Sequence, residues 1–455
     1  MTAHPADLTI AEAGAALRAG TLTAHALVQA HLDRIAARDR TVGAFVHLDP
    51  ETVLTLAARA DQQLAEGTDL GPLHGIPFAI KDVFDVAGWP VRGGSALYKT
   101  RIAQQDATVV DRLRTAGAIP LGLVASYELA TVGPDPASLY PQPVNPWSGG
   151  HATGGSSSGS AAAVAAGLVR LSLASDTGGS ARSPAAYCGV TGLKPGTGRV
   201  PAEGMLALAP SLDQPAVIAR TAHDAAMALA ALTDQPVSPR PVFPCPHAPL
   251  AGKTLAYGRG WAIDPAAHEA LLSVLDAAAS SLSLGGAAIR LVDLPPYDAI
   301  ETAGADILRA EAFKTHGPAL TAHPEAIGPL ARAEILAGRQ ITAARLRRAR
   351  ACIEPLQAAI DTVLRESHAL ILPTTLTPAP RLTDIAPNAP RWSPMRTIPF
   401  NLTGHPALSV PMGFADGLPL GLQIIGRPGT ETDILQIAAA FEAATDHSTL
   451  QPVFT

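Results

Sequence analysis

Residues 154–180 read GGSSSGSAAAVAAGLVRLSLASDTGGS: a glycine and serine loop, an alanine-rich helix, an apolar strand and a second glycine loop. The helix is predicted over 159–167 and the strand over 168–174, because their lengths and compositions fit those elements. Loop, helix and strand that alternate in this way indicate an α/β fold with a largely parallel sheet.

The same alternation continues on both sides of this stretch. Residues 222–366 are mostly helical in composition, and no linker is long enough to separate independent domains. We therefore predict one domain over 1–455 with a helical insertion. Further strands are predicted at 76–80, 119–124, 369–373, 407–410 and 420–425, and further helices at 9–37, 51–66, 107–117 and 431–444.

Composition limits the classes of function. The 455 residues are 47% hydrophobic and 16% charged, which is typical of a chain with a large core. A net charge of -6 offers no general attraction to phosphate backbones or anionic membranes. Three cysteines are too few for a disulfide framework or zinc site, and no secretory signal is visible. We expect a cytoplasmic protein without a nucleic-acid or membrane partner.

The two glycine loops have the composition of an oxyanion-binding backbone. Glycine adopts conformations closed to other residues and lets a substrate approach closely. Successive N–H groups in such a loop can converge on one point, as a developing oxyanion requires. The serines of these loops are therefore candidate nucleophiles.

Lys81 is the candidate base for such a serine. A serine hydroxyl is a weak nucleophile and needs a base within hydrogen-bond reach, yet no Ser-His-Asp signature is obvious. The chain has five lysines, and Lys81 ends an apolar strand, where burial disfavours the charged form. Lowering its pKa from roughly 10.4 to about 7 costs about 4–5 kcal/mol, within the range that burial imposes. Asp82 need not pair with it, because neighbouring strand residues point to opposite faces.

Three motifs are more specific than the rest of the chain. They are GIPFAIKD at 75–82, GGSSSGSAAAVAAG at 154–167 and SDTGGSARSPAAYCG at 175–189. Together they resemble the amidase signature family, densely over 72–215 and 369–445 and thinly across about 220–366. The resemblance implies that family's fold: a large mixed, mostly parallel central sheet covered by helices on both faces.

The resemblance also implies the catalytic residues. Ser180 matches the nucleophile, Ser156 the bridging serine held by a cis peptide bond, and Lys81 the base. The implied reaction forms a covalent acyl-enzyme with a serine and needs no metal or organic cofactor. The backbone N–H groups implied for the oxyanion hole are those of Thr177, Gly178, Gly179 and Ser180.

Neighbouring polar residues are assigned supporting roles. Ser157 or Ser158 is expected to cap the following helix, since serine there satisfies free N–H groups. Asp176 and Arg182 flank the nucleophile and are expected to orient its loop by hydrogen bonds.

The substrate pocket is expected in the more variable segments 125–145 and 300–400. An apolar, low-charge lining favours an aryl or alkyl amide, anilide or carbamate (urethane) as a small-molecule substrate. The oligomeric state stays open, and the resemblance allows a homodimer. Candidate lining residues are Tyr127, Tyr140, Trp392 and Met395.

Three alternatives remain. Within the family, the chain could be the glutaminase subunit of a tRNA-dependent amidotransferase. Ala125 stands where that pattern often has Asn, Ser158 where Gly is usual and Ala181 where a larger apolar residue is common, and these departures favour a stand-alone hydrolase. An α/β-hydrolase elbow on Ser157 lacks the strand that should precede it. A phosphate-binding loop lacks a following Gly-Lys-Ser/Thr.

Overall fold

In the computed structural model, which describes residues 4–233, 250–385 and 394–454, the chain folds around a sheet of eleven strands. The strands are β1 (Phe45–Leu48), β2 (Pro77–Lys81), β3 (Ile119–Val124), β4 (Leu171–Asp176), β5 (Thr191–Lys194), β6 (Gln214–Ala219), β7 (Thr254–Tyr257), β8 (Ala288–Leu291), β9 (Ala369–Pro373), β10 (Ala407–Ala415) and β11 (Leu418–Ile425). Their order across the sheet is β1-β3-β2-β4-β6-β5-β10-β11-β9-β7-β8.

The sheet is mixed, as predicted, but its parallel share is smaller than the sequence indicates. Among the ten pairings of the described strands, four are parallel: β2 with β3 and β4, and β7 with β8 and β9. The other six are antiparallel. Parallel neighbours need a long crossover, whereas β10 and β11 are joined by the two-residue turn Asp416-Gly417. Both turn residues have positive φ, which suits a tight hairpin.

Helices pack against this sheet and against one another. They are α1 (Ile10–Arg18), α2 (Ala24–Val42), α3 (Pro50–Ala65), α4 (Thr108–Thr115), α5 (Ser158–Ala165), α6 (Arg182–Cys188), α7 (Ala222–Leu232), α8 (Leu271–Leu284), α9 (Tyr297–Ala322), α10 (Pro329–Gly338), α11 (Ala343–Ala351), α12 (Ile353–Arg365), α13 (Pro399–Leu402) and α14 (Glu431–Ala444). Over the described residues, none of these helices has the length and apolarity needed to cross a membrane.

Two of the predicted helical stretches are interrupted in the structure. The helical stretch 9–37 divides into α1 and α2 because Thr9 and Thr23 each accept a hydrogen bond from a first-turn N–H. The segment predicted as mostly helical, 222–366, also contains β7 and β8, which extend one edge of the sheet. Both strands have four residues, too few for a clear alternating pattern.

Two adjacent central strands position the candidate site. β2 and β4 run parallel, with Ala79 opposite Ser172 and Ile80 opposite Leu173. Every residue of both strands is buried. Their carboxyl ends therefore lie at the same edge of the sheet, where Lys81 ends β2 and Asp176 ends β4.

Candidate active site

A buried lysine at the end of β2 contacts two serine hydroxyls. The Lys81 Nζ lies 2.8 Å from the Ser156 Oγ and 2.8 Å from the Ser175 Oγ. All three residues are buried, and Lys81 and Ser156 are 0% exposed. Lys81 thus meets one hydroxyl from the first glycine loop and one from the end of β4. Its neighbour Asp82 faces away, accepting from the Arg92 and Gly94 backbone N–H groups.

Burial makes this lysine a base near neutral pH. Removal from water disfavours the ammonium form and lowers the pKa of Lys81 from 10.5 to about 7. The carboxylates of Asp176 and Asp213 raise the pKa and oppose that effect only in part. At neutral pH a substantial fraction of Lys81 is therefore uncharged and able to accept a proton.

The two serine loops are tied together through their backbones. The peptide bond between Gly155 and Ser156 is cis. The Ser157 N–H donates to the Ser180 carbonyl over 3.1 Å, which brings the second loop against the first. The Ser157 Oγ donates to the Ser175 carbonyl at 3.1 Å. Ser157 occupies the N-cap position of α5, but its hydroxyl holds β4 instead of capping the helix.

Asp176 organises the loop that carries Ser180. Its carboxylate accepts from the Gly179 N–H at 2.9 Å and the Ala181 N–H at 3.2 Å. It also accepts from the Arg182 Nε at 2.9 Å and Nη2 at 2.8 Å, and both side chains are fully buried. Burial alone would raise the pKa of Asp176, but the charge and hydrogen bonds of Arg182 hold it well below its ordinary value of 3.8. The carboxylate therefore stays charged and keeps the loop closed around it.

Arg182 connects this loop to the carboxyl-terminal part of the chain. Its Nη1 donates to the Gln423 Oε1 at 2.6 Å and to the Thr397 carbonyl at 2.9 Å. Its Nη2 donates to the Asn401 Oδ1 at 2.7 Å. Asn401 in turn donates its Nδ2 to the Asp176 carbonyl at 3.0 Å. The buried guanidinium thus joins the serine loop to α13 and β11.

The candidate oxyanion hole has fewer free N–H donors than the four that the family resemblance implies. The Gly179 N–H points at the Asp176 carboxylate, so it is engaged inside the loop. Within the described ranges, the N–H groups of Thr177, Gly178 and Ser180 donate to no protein atom, and all three residues line the adjacent cleft. Gly179 has φ +132°, and a Cβ there would collide with Thr397. Only glycine fits this position.

A cleft opens at the Ser180 end of this arrangement, with about 680 Å³ of space when the open solvent at its mouth is counted. Ser180 is half-buried and lines the cleft, whereas the fully buried Ser156 and Lys81 do not. Most of the wall is apolar. Its residues come from 127–134, from α9, and from the segments that end at Ile385 and begin at 394. The apolar lining residues are Ala130, Val132, Pro134, Ala152, Leu208, Leu308, Pro380, Ile385 and Met395.

The predicted pocket residues lie in different places. Tyr127 and Met395 line the cleft. Tyr140 is not among the lining residues, and its hydroxyl lies 3.4 Å from the Arg92 Nη1. Trp392 lies outside the described residues.

Sequence reasoning missed three neighbours of the site. Ser175 begins the third of the specific motifs, and its place directly after the apolar strand predicted at 168–174 was the available signal for its position near Lys81. Thr397 donates its Oγ1 to the Gly178 carbonyl at 2.6 Å. Asp213 accepts from the Thr177 Oγ1 at 2.7 Å. The last two come from segments with no motif of their own, so the sequence offered no signal for them.

Comparison with known proteins identifies the family. The Amidase family model matches residues 26–435. The chain belongs to the amidase family, whose members cleave carbon–nitrogen amide bonds.

Individual relatives cover nearly the whole chain. A protein from Chloroflexus aurantiacus, named as one subunit of glutamyl-tRNA(Gln) amidotransferase, is 35% identical over 98% of this chain and 98% of its own length. The native peptide amidase from Stenotrophomonas maltophilia is 30% identical, with a TM-score of 0.80 over 96% of this chain and 97% of that one. A bacterial aryl acylamidase of the amidase signature family is 25% identical, with a TM-score of 0.84 over 97% of both chains.

These relatives correct the expectation about partners. We expected a small-molecule substrate as the partner and no nucleic acid. The exclusion of nucleic acid is wrong, because relatives that match 98% of the chain are named as a subunit of glutamyl-tRNA(Gln) amidotransferase. Net charge was a poor guide because it is an average over the chain. A protein can join a tRNA-dependent assembly through a local surface or through other subunits, whatever its overall charge.

Proposed function

We propose that this protein cleaves a carboxamide through an acyl-enzyme on Ser180, as the amide-hydrolysing subunit of a tRNA-dependent amidotransferase. The observation that carries the chemistry is the fully buried Lys81, whose Nζ lies 2.8 Å from the Ser156 Oγ behind the cleft. A base in reach of a serine hydroxyl is the requirement for activating a serine nucleophile.

In the first half of the reaction Ser180 adds to the amide carbon, and one proton moves inward to Lys81. Ser180 Oγ attacks the amide carbon and passes its proton to Ser156, whose own proton goes to the neutral Lys81. The carbonyl oxygen becomes an oxyanion, which the N–H groups of Thr177, Gly178 and Ser180 stabilise. Preorganised donors of this kind lower the barrier because they need no rearrangement during the reaction.

The second half returns the proton. Lys81 protonates Ser156, which protonates the leaving nitrogen as the carbon–nitrogen bond breaks, so that ammonia or an amine leaves. The acyl group remains as an ester on Ser180. Water, activated by the same two residues, then attacks the ester and releases the acid.

The amidotransferase role is supported by the relatives. Proteins named as that kind of subunit match the chain at 35% identity over 98% of its length. The match runs through both serine loops and the carboxyl-terminal strands. The ammonia released as the acyl-enzyme forms would serve the assembly's transfer step.

A second candidate function is hydrolysis of an aryl or alkyl amide, anilide or carbamate. The cleft wall favours it, because Leu308, Ile385 and Met395 offer an apolar surface of the kind that a hydrophobic acyl or leaving group needs. Solved structures of a peptide amidase and an aryl acylamidase share the fold.

The test is a hydrolysis panel run on the purified chain: L-glutamine, a primary alkyl amide, an anilide and an aryl carbamate. Release of ammonia or amine would be followed for the wild type and for Ser180→Ala. We expect turnover of at least one substrate and a loss of at least about 10³-fold in Ser180→Ala. Turnover that survives this substitution would disprove the assigned nucleophile.

The panel also separates the two candidates. Glutamine as the preferred substrate, with a rate that increases on adding amidotransferase partner subunits and the charged tRNA, supports the first role. Preference for anilide or carbamate, unchanged by partners, supports the second candidate. Ser172→Ala is the control, because Ser172 is a buried serine on the same strand as Ser175, and among the described residues its hydroxyl bonds only the Leu173 carbonyl.

A further inference from the structure

One charged side chain stands in the apolar cleft wall. Among the described residues that line the cleft, Glu334 on α10 is the only one with a formal charge at neutral pH. It is 1% exposed, so few waters solvate it. A buried carboxylate needs partners that compensate its lost hydration.

Arg309 on α9 supplies part of that compensation. Its Nε donates to the Glu334 Oε1 at 2.7 Å and its Nη2 to Oε2 at 3.3 Å. A carboxylate has about four acceptor positions, and two are used here. Arg309 is not among the residues that line the cleft, so Glu334 is the member of this ion pair on the cleft side.

The remaining acceptor positions define what the cleft can hold. An N–H donor or an ammonium group would fill them, whereas an anionic group placed against Glu334 would be repelled. In the described part of the lining, no lysine, arginine or histidine is present to pair with an anion, so the carboxylate of a zwitterionic substrate would point away from Glu334, to the open side of the cleft. The apolar residues around Glu334 leave room for a hydrocarbon body beside that group.

We propose that Glu334 is a specificity-determining residue that selects amide substrates bearing an ammonium or other N–H donor group on the acyl part. This inference rests on the proposed amide hydrolysis at the same cleft. In the amidotransferase role the selected group is the α-ammonium of glutamine. In the second role it is an amino substituent on an otherwise apolar acyl chain.

The test compares pairs of substrates that differ only in the amino group. L-Glutamine is paired with 4-carbamoylbutanoate, and 4-aminobutananilide with butananilide. For the wild type we expect kcat/KM to favour the amino-bearing member of the preferred pair by about 10-fold or more, the effect of one charge-assisted hydrogen bond. In Glu334→Gln the ratio should fall to near one, while Glu334→Asp, which keeps the charge, should retain a preference.

Asp306→Asn is the matched control. Asp306 is a buried carboxylate on α9, paired with Arg345 at 2.6 Å, and it does not line the cleft. Its substitution should leave the ratio unchanged. A ratio near one in the wild type, or an unchanged ratio in Glu334→Gln, would overturn the proposal.

Binding to Ser180→Ala, measured by calorimetry, distinguishes this inference from the proposed function. Selective binding of the amino-bearing ligand, lost in Ser180→Ala/Glu334→Gln, supports the role of Glu334 even if the wild type hydrolyses neither ligand. In that case only the proposed function fails. Absence of binding by every ligand would reject both.

Discussion

At the scale of single residues, two buried lysines have similar pKa values but different contacts, and the contacts distinguish the candidate base. Burial lowers the pKa of both Lys81 and Lys194 to about 7, and both are 0% exposed. Lys81 Nζ faces two serine hydroxyls, whereas Lys194 Nζ donates to the Pro195 carbonyl at 2.8 Å. A carbonyl has no proton to give, so these contacts favour Lys81 over Lys194 as the proposed base.

The pH dependence of activity should therefore follow Lys81. Neutral Lys81 is the active form, so kcat/KM should rise with pH through about 7 and level off above it. Lys81→Met should lower kcat by on the order of 10²–10⁴-fold. The measurement is the pH profile of kcat/KM on the preferred substrate.

Lys194→Met is the control for that profile. It should keep the rise near pH 7, because the Lys194 ammonium bonds a carbonyl and, over the part of the chain that the structure describes, no serine hydroxyl. If Lys194→Met lost the rise while circular dichroism showed an intact fold, the titration would belong to Lys194 and not to Lys81.

At the scale of elements, the packing of α10 on α9 shapes the cleft. α9 contributes Leu308 and α10 contributes Glu334 to the same wall. The two helices meet closely at Gly338, where a Cβ would collide with the Arg309 carbonyl. Since that neighbour is backbone, it cannot swing aside as a flexible side chain would.

Gly338→Ala should push α10 away from α9. We expect a loss of about 1–3 kcal/mol in the free energy of unfolding, as for an overpacked core, together with a raised KM. Urea denaturation and steady-state kinetics measure the two effects. Gly260→Ala is the control, because a Cβ at Gly260 meets nothing within 4 Å. Equal stability of Gly338→Ala and the wild type would contradict the tight contact.

At the scale of the whole molecule, the last helix is held by a partly buried acid. Glu442 on α14 accepts from the Ala222 N–H at 3.0 Å and from the Thr191 Oγ1 at 2.9 Å, which joins α14 to α7 and β5. Burial raises the pKa of Glu442 from 4.5 to about 7, although these two hydrogen bonds lower it. The folded protein therefore favours the protonated acid.

The stability of the fold should record this titration. An acid whose pKa is raised in the folded state stabilises the fold below its unfolded pKa, near 4.5, and loses that contribution as pH rises through about 7. The shift corresponds to about 3 kcal/mol. Glu442→Gln should flatten the decline of unfolding free energy between pH 5 and 8, measured by urea denaturation. A decline of the same size in Glu442→Gln would exclude Glu442 as its source.

The parts of this protein that the sequence predicts are the local ones. Lys81 at a strand end and the glycine loops around Ser156 and Ser180 follow from short contiguous motifs, whose conformations depend on neighbouring residues. Strands β3 and β9 have the bounds that their apolar runs predict. The mixed sheet was predicted, but the number of antiparallel pairings was not, because pairing direction depends on how connections run in space.

Tertiary structure alone decided the contacts between distant segments. Arg182 contacts Gln423, which lies 241 positions away in the sequence. The Gly179 N–H donates to the Asp176 carboxylate, a direction that the glycine motif alone does not predict. Glu334 became a cleft residue only because α10 packs on α9. Such contacts depend on the path of the whole chain, whereas a loop motif depends on a few adjacent backbone angles. The sequence by itself therefore determined the family, the serine loops and the lysine, and the fold determined the bonds that orient them and the wall that faces the substrate.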